Sequence, residues 1–377
     1  MKFFHTADWH LGKLVHGVYM TEDQAYILDR FTADIERERP DAVVIAGDLY
    51  DRAVPPAEAV QLLNRVLTRI VLELRIPVLA VAGNHDSPSR LHFGSGIMKS
   101  AGFHLVGEPE FPLEPVRLRD AHGEVHFHLF PYAEPGKIRY LLGDDTIRTH
   151  DDAVRAVVDH LRPRLDPDAR HVFVGHAFVT PDGSPAANTS DAERPLAIGG
   201  AEHVSAGHFG PFHYTALGHL HQARYIKNET IRYAGSPLKY SISEEHHRKG
   251  YLAVDLDADG RVRVEHRELV PLRDMRTIEG RLAEIERHAP CDDYVFVLLS
   301  DETPVLHPME RVRTVYPNAL HVQRKQLPLP VRAALGAVEN RARMDELSLF
   351  RAFHREIKGA EADADTEALF LEVLRHV

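Results

Sequence analysis

The chain has 377 residues, more than one average hydrophobic core accommodates, so we expect two domains or one large domain with appendages. Its single cysteine, Cys291, excludes intrachain disulfides and thiolate metal clusters; with no signal-peptide pattern and no apolar run long enough to cross a bilayer, the sequence predicts a cytoplasmic protein without a membrane anchor. A formal net charge of −11 argues against broad, non-specific nucleic-acid binding by this chain alone.

The first ninety residues alternate strand and helix. A helix is predicted to begin at Thr21, with Gln24 in the capping-box position, and a second after Pro55 and Pro56. The predicted strands span residues 2–6, 42–46 and 77–82. Asp8, Asp48 and Asn84 each lie just beyond one of these strands. Because sites in α/β units form where strands end and loops begin, we expect these three side chains at one edge of the sheet.

Two later strands end in the same way. The strand at 171–174 runs into Gly175-His176, and the strand at 214–217 runs into Gly218-His219-Leu220-His221. Further strands are predicted at 125–130, 223–226, 231–234, 251–256 and 261–267. We infer an α/β fold with a mixed sheet, or two packed sheets, flanked by helices.

The pattern changes near residue 272 to a smaller unit, so we predict a first domain over 1–272 and a second over 273–326. The second has a helix at 278–287, a strand at 294–299, a helix at 309–315 and a strand at 319–323. Leu327-Pro328-Leu329-Pro330 marks a boundary. Residues 327–377 then form a linker and two short amphipathic helices, the second capped by Thr366. These helices either fold back on the chain or dock on a partner.

Seven side chains in these segments have the nitrogen and oxygen donors that divalent metals require. They are Asp8, His10, Asp48, Asn84, His176, His219 and His221. This set without thiolate suits manganese, iron or zinc, and seven ligands suit two ions that share a bridging carboxylate, for which Asp48 is the best candidate. We assign Asp8, His10 and His221 to one ion and Asn84, His176 and His219 to the other. Such a centre activates water and neutralises phosphate charge, which predicts phosphoester hydrolysis.

Five neighbouring residues are candidates for supporting roles. His85 is the candidate general acid that protonates the leaving alkoxide, the alternative being a structural imidazole. Asp86 is expected to orient His85 or to cap the following turn, and Asp51 to bond a histidine ligand or to be a solvated loop residue. Ser87 and Arg90 are candidates for phosphate contacts or ordinary surface residues.

These motifs resemble those of the calcineurin-like metallophosphoesterases, and within them the nucleases that process DNA ends. The matching segments are Asp8-Trp9-His10-Leu11-Gly12, Gly47-Asp48-Leu49-Tyr50-Asp51, Gly83-Asn84-His85-Asp86-Ser87, Gly218-His219-Leu220-His221 and Tyr233-Ala234-Gly235-Ser236-Pro237. The resemblance implies a four-layer αββα core, a small α/β capping domain near the active site, and a C-terminal helical pair that docks on the coiled coil of an ATPase. It also implies two Mn²⁺ ions, 3′-to-5′ exonuclease activity on duplex DNA, endonuclease activity on single strands and hairpins, and a homodimer within a heterotetramer.

Two other functions remain open at this point. The same core can serve a small-molecule phosphodiesterase or phosphatase, although such an enzyme needs neither a cap nor terminal helices. The chain can also be a non-catalytic scaffold that binds DNA ends. An ATPase partner that supplies most of the phosphate contacts reconciles a DNA substrate with the net charge of −11.

Overall fold

The computed structural model describes residues 1–183, 203–325, 345–358 and 361–375. In chain order the strands are β1 (Lys2–Thr6), β2 (Leu14–Val15), β3 (Val18–Tyr19), β4 (Ala42–Ile45), β5 (Val78–Val81), β6 (Phe103–Val106), β7 (Val116–Asp120), β8 (Gly123–Phe130), β9 (Arg170–His176), β10 (Phe178–Thr180), β11 (His203–Ser205), β12 (Tyr214–Gly218), β13 (Arg224–Ile226), β14 (Asn228–Tyr233), β15 (Gly250–Leu256), β16 (Val262–Glu268), β17 (Met275–Gly280), β18 (Tyr294–Leu299) and β19 (Ala319–Arg324). The helices are α1 (Thr21–Glu38), α2 (Ala57–Leu67), α3 (Pro88–His92), α4 (Ser95–Ala101), α5 (Pro135–Leu142), α6 (His150–Leu161), α7 (Leu282–Ile285), α8 (Pro308–Arg313), α9 (Glu346–Lys358) and α10 (Ala364–Leu374).

Two six-stranded mixed sheets form the main body. The first has the order β16-β15-β1-β4-β5-β6, and the second β13-β14-β12-β9-β8-β7. Strands β1, β4, β5 and β6 are parallel neighbours, as are β8, β9, β12 and β14. Antiparallel strands lie at the edges of both sheets. Because the parallel strands of each sheet run in one direction, the loops that follow them gather at one end of that sheet.

Three clusters of buried apolar side chains pack between the layers of the main body. One packs helices α1 and α2 on the outer face of the first sheet, through Phe31 against Phe4 for example. The second packs α5 and α6 on the outer face of the second sheet. The third lies between the sheets, where Phe3 meets Phe127 and Tyr214 edge to face. The α/β prediction is confirmed, and the order of layers is helix, sheet, sheet, helix.

A three-stranded parallel sheet, β17-β18-β19, forms the smaller unit with α7 and α8 packed on it. We call residues 275–325 the cap. Met275, Tyr294 and Phe296 of the cap pack with Val15 and Met20 of the main body. The Tyr294 hydroxyl also donates to the buried Asp23 carboxylate at 2.8 Å. The cap therefore rests on the hairpin and helix that directly follow the first predicted ligand loop.

Three sequence predictions about elements are wrong. Residues 278–280, expected to open a helix, belong to β17, because Ile278 and its neighbours pair with β18; the helix is the short α7. Gln24 makes no capping box, and α1 begins after Met20 without a side-chain cap. Helix α10 is capped by Asp363, whose side chain accepts from the Thr366 amide, so Thr366 is not the cap.

The C-terminal pair of helices, α9 and α10, is present. Phe350 and Phe370 stack between them with ring centroids 4.1 Å apart. The predicted boundary at Leu327–Pro330 lies outside the described residues. Among the helices that the structure describes, none combines the length and apolar character needed to span a membrane.

Candidate metal centre

The seven predicted ligands come from loops at the same end of both sheets. Asp8, Asp48 and Asn84 follow β1, β4 and β5 of the first sheet, while His176 ends β9 and His219 and His221 follow β12 of the second. Six of these side chains are buried, and Asn84 is half-buried. The site therefore straddles the junction between the two sheets.

Donor atoms from these residues lie close enough to share cations. Asp8, His10 and His221 each place one donor atom within 4.8 Å of the others, and Asp8, Asp48 and His176 form a second group of this kind. Asn84 Oδ1 joins them, 2.9 Å from His176 Nε2 and 3.4 Å from His219 Nδ1. The structure thus brings all seven predicted ligands into one cluster, and we retain their individual assignments as a proposal.

The backbone at this cluster is strained. Asp8, His10, Asp48 and His219 have positive φ angles of 54°, 46°, 52° and 110°. Non-glycine residues rarely adopt this left-handed conformation, which costs of order 1–3 kcal/mol at each position. Four such residues in one cluster indicate that the fold holds these side chains in place against local preference.

Two glycines allow the loops to approach one another. A Cβ at Gly83 would lie 2.1 Å from Asp48 Oδ1, and one at Gly218 would lie 1.9 Å from the Ala46 carbonyl oxygen. Neither contact is sterically tolerable. Glycine is therefore required where the Asn84 and His219 loops pass the Asp48 loop.

Hydrogen bonds fix the orientation of the ligand rings. His176 Nδ1 donates to the Ala46 carbonyl at 2.9 Å, which leaves Nε2 as an acceptor in the neutral ring. This nitrogen faces Asn84 Oδ1, also an acceptor, at 2.9 Å. Likewise, the amide of His219 donates to Asp8 Oδ1 at 2.9 Å and fixes that carboxylate.

His10 and His221 also face each other within the cluster. Their Nε2 atoms lie 3.1 Å apart. His221 Nδ1 bonds the Glu244 carboxylate at 3.0 Å, so its Nε2 has no proton to donate when the ring is neutral. Within the described part of the chain, the buried His10 Nδ1 has no hydrogen-bond partner. A bound cation would resolve the acceptor contact between His176 and Asn84 and would accept the lone pair of His221 Nε2, so the donor set fits divalent metal ions.

Burial keeps these imidazoles neutral. It lowers the pKa of His10 and of His219 well below the usual value, and neighbouring histidines add to the effect. Burial likewise lowers the pKa of His176 to about 4. Since a neutral imidazole is the form that binds metal, all three rings are prepared as ligands at neutral pH.

His85 lies beside the cluster and is 6% exposed. Its ring centroid is 4.6 Å from that of His10, and its Nδ1 donates to the Asp51 carbonyl at 2.8 Å. Its backbone amide donates to Asp48 Oδ1 at 2.9 Å. These contacts fix the His85 ring and backbone beside the cluster.

The remaining predicted site residues have distinct positions. Asp86 is buried and accepts from the amides of Leu49, Tyr50 and Gly83, so it ties two ligand loops together. The Asp51 carboxylate pairs with Lys13 at 2.8 Å and lies 3.8 Å from His10 Nδ1. Ser87 precedes helix α3 without a side-chain cap, and Arg90 is exposed on that helix.

Sequence reasoning missed three buried residues that support the ligand loops. Gln24 Nε2 donates to the His10 carbonyl at 2.8 Å, and the Tyr240 hydroxyl donates to the Trp9 carbonyl at 2.5 Å. Glu244 is fully buried against His221. All three act through tertiary contacts, so the only sequence signal is polar residues at otherwise apolar, buried positions.

Comparison with known families agrees with this site. A profile described as "Calcineurin-like phosphoesterase" matches residues 1–211, more than half of the chain, so the chain belongs to that family of metal-dependent phosphoester hydrolases. A second profile, SbcD_C, described as "Type 5 capsule protein repressor C-terminal domain", matches residues 271–358. Together the two matches support an SbcD-type subunit within the metallophosphoesterase superfamily.

Two solved structures are similar to this chain. A dimetal phosphatase from Danio rerio, LOC 393393, has 14% identity and a TM-score of 0.42, and the match covers 72% of this chain and 96% of that one. The protein TT1561 of Thermus thermophilus has 11% identity and a TM-score of 0.38, and the match covers 70% of this chain and 98% of that one.

Proposed function

We propose that this protein is a two-metal DNA nuclease that processes DNA ends together with an SbcC-type ATPase. Its activities are 3′-to-5′ exonuclease cleavage of duplex DNA and endonuclease cleavage of single strands and hairpins, with Mn²⁺ as the metal, and its role is in cytoplasmic DNA repair, recombination and replication. The observation that carries the proposal is the convergence of seven metal donors at one end of two sheets, beside a cap whose sequence matches the SbcD_C profile.

The chemistry follows from the chain's own groups. Divalent cations held by the cluster supply charge neutralisation at a phosphodiester and activation of the attacking water. Asp48 Oδ2 lies 3.6 Å from His10 Nε2 and 3.5 Å from His176 Nε2, which supports the proposal that Asp48 would be shared by two ions. His85, whose Nδ1 donates to the Asp51 carbonyl, would protonate the leaving alkoxide from Nε2 in its imidazolium form and become the neutral ring that keeps this hydrogen bond.

Exposed apolar side chains support the proposed partners. Leu349 and Phe353 on α9 and Leu369 and Val373 on α10 are between 41% and 62% exposed, which suits docking on the coiled coil of the ATPase. Phe93 and Ile97, which follow the Asn84 loop and are 86% and 80% exposed, suit a homodimer through the main body. Because the net charge of this chain is −11, the proposal also requires the ATPase to supply most of the phosphate contacts.

Asp48→Asn tests the function, with Asp259→Asn as the control. Asp259 is exposed in the turn between β15 and β16 and pairs only loosely with Arg261, at 3.6 Å. Purified proteins with Mn²⁺ are assayed on end-labelled duplex DNA, a DNA hairpin and a chromogenic phosphodiester. We expect the parent and Asp259→Asn to shorten duplex DNA from its 3′ ends, and Asp48→Asn to lose at least about 100-fold in rate.

The assay separates the alternatives. Cleavage confined to the chromogenic ester would favour a small-molecule phosphodiesterase or phosphatase. Equal activity of the Asp48→Asn variant and the parent would remove Asp48 from the centre. DNA binding by the parent without cleavage of any substrate would favour a scaffold.

A further inference from the structure

A buried charged pair lies directly behind His221. The Glu244 carboxylate is fully buried and the Lys249 side chain is 6% exposed. Glu244 Oε1 bonds His221 Nδ1 at 3.0 Å, and Glu244 Oε2 accepts from the Lys249 ammonium at 2.5 Å. Burying two charges is costly unless their geometry is well satisfied, so a pair at this place calls for a reason.

The Lys249 ammonium is fixed by more than Glu244. It also donates to Ser236 Oγ and to the backbone carbonyl of His221, each at 2.8 Å. Three acceptors around an ammonium match its three protons. The Glu244–Lys249 pair therefore holds the side chain of His221 through Glu244 and its backbone through Lys249.

The Glu244–Lys249 pair determines which ring nitrogen of His221 carries the proton. A carboxylate that receives Lys249 on one oxygen offers only an acceptor to His221 on the other, so Nδ1 is the protonated nitrogen. The lone pair is then on Nε2, which faces His10 Nε2 at 3.1 Å inside the metal cluster. Metal-ligating histidines depend on such a partner for their tautomer and orientation.

We infer that Glu244 and Lys249 are positioning residues that hold His221 in the Nδ1–H tautomer, with Nε2 directed at one of the two metal ions. The inference rests on the proposed function, because it takes His221 as a ligand. It assigns the pair to the binding of one ion only, since Glu244 reaches the cluster through His221.

Glu244→Gln gives a sharp test because of Lys249. The amide has the size of the carboxylate, but it has one acceptor and one donor. The Lys249 ammonium can bond only the oxygen of the new amide, so the amide NH₂ faces His221. His221 Nδ1 must then accept a hydrogen bond, which puts the ring proton on Nε2. In this tautomer Nε2 cannot bind a metal ion. We expect Mn²⁺ titration calorimetry to show one of two equivalents weakened about 10- to 100-fold and the other unchanged.

The double variant Glu244→Gln/Lys249→Met separates positioning from structural support. Without the ammonium, the amide oxygen can accept from His221 Nδ1, so we expect the weakened equivalent to recover most of its affinity. A purely structural role predicts the opposite, because the double variant has lost two buried contacts. A double variant weaker than Glu244→Gln would overturn the inference.

Two matched controls accompany these variants. Glu245→Gln alters the neighbouring carboxylate on the same turn, which accepts from the Thr277 amide of the cap at 2.7 Å. Lys239→Met removes another largely buried lysine, paired with Asp274 at 2.8 Å. Both are expected to bind two equivalents as the parent does. A loss of Mn²⁺ affinity in either control as large as that in Glu244→Gln would also overturn the inference.

A measurement on the parent protein needs no change at 244. In metal-free protein labelled with ¹⁵N-histidine, the His221 ring signal is assigned by its disappearance in His221→Gln, and we expect the Nδ1–H form. An Nε2–H form would overturn the inference, as would parent-like binding by Glu244→Gln. A parent that binds no Mn²⁺ would instead overturn the proposed function itself.

Discussion

His85 lies beside the seven predicted ligands, and the Asp51 carbonyl fixes its ring through Nδ1. We predict that His85→Ala keeps both equivalents of Mn²⁺ in calorimetry while cleavage of duplex DNA slows by about 10²- to 10⁴-fold, the usual contribution of a general acid. His208→Ala, which changes a histidine paired with Asp151 away from the centre, serves as the control and should cleave normally. Loss of metal from His85→Ala would show that His85 is a ligand.

Gly83 has a steric role that a single methyl group tests. In Gly83→Ala the new Cβ collides with Asp48, so we predict weaker Mn²⁺ binding and a free energy of unfolding lower by about 1–3 kcal/mol. Gly96→Ala is the control: Gly96 lies in α4 with no atom within 4 Å of an added Cβ, and alanine there should leave stability unchanged or raise it by up to about 1 kcal/mol. Urea unfolding measures both, and an unchanged Gly83→Ala would contradict the close approach.

The side chains that converge at the cluster could be predicted from sequence, whereas the residues that support their loops could not. Asp8 and Asp48 follow apolar strands in chain order, a signal that is local and survives among 26 histidines and 56 acidic residues. Glu244 and Gln24 gain their roles from contacts with residues 23 and 14 positions away. The left-handed backbone at Asp8, His10, Asp48 and His219 is equally hard to predict, because aspartate and histidine tolerate this conformation but adopt it only where tertiary contacts select it.

Strands β7 and β9 are joined by an ion pair far along the sheet from the metal cluster. Arg170 donates to both oxygens of Asp120, at 2.6 Å and 3.0 Å, and also to the Leu256 carbonyl at the end of β15 in the other sheet. The arginine holds the pKa of Asp120 well below its usual range. A depressed folded-state pKa means stability that is present above the unfolded pKa of about 3.9 and is lost as pH falls toward the folded value.

Asp120→Asn should therefore lower the free energy of unfolding by about 1–3 kcal/mol at pH 7. The difference from the parent should shrink as pH falls below about 4, where the unfolded parent begins to protonate this carboxylate while the folded parent keeps it ionised. Urea unfolding of the metal-free proteins at pH 7 and at a pH below about 4 measures this difference in the free energy of unfolding. Asp259→Asn, at an exposed pair, should change stability little at either pH, and a pH-independent loss in Asp120→Asn would contradict the assigned pKa.

Secondary-structure elements could be predicted from sequence where one pattern of apolar residues dominated. Strands β4 and β5 are buried on both faces and appear as uninterrupted apolar runs. Residues 275–287 contain a strand followed by a short helix, although their sequence also fits a single amphipathic helix. There the parallel pairing with β18, a contact with residues near 295, decides in favour of a strand up to Gly280.

At the scale of the whole molecule, the C-terminal helices carry exposed apolar side chains on which the proposed docking depends. Phe353 is 59% exposed on α9, so we predict that Phe353→Asp weakens binding to the proposed SbcC-type ATPase at least about 10-fold while the isolated chain keeps the proposed nuclease activity. Analytical ultracentrifugation of the mixed subunits measures the affinity. Tyr140→Asp, at another exposed aromatic, on α5, is expected to bind normally. Undiminished binding by Phe353→Asp would place the partner elsewhere.

The division of the metal donors between two facing sheets limits how the molecule can move. Asp8, Asp48 and Asn84 belong to one sheet, and His176, His219 and His221 to the other. A slide of one sheet past the other by a single residue, about 3.3 Å, would exceed the tolerance of any coordination bond. If donors from both sheets hold the metals, we expect the sandwich to stay rigid while the metals are bound.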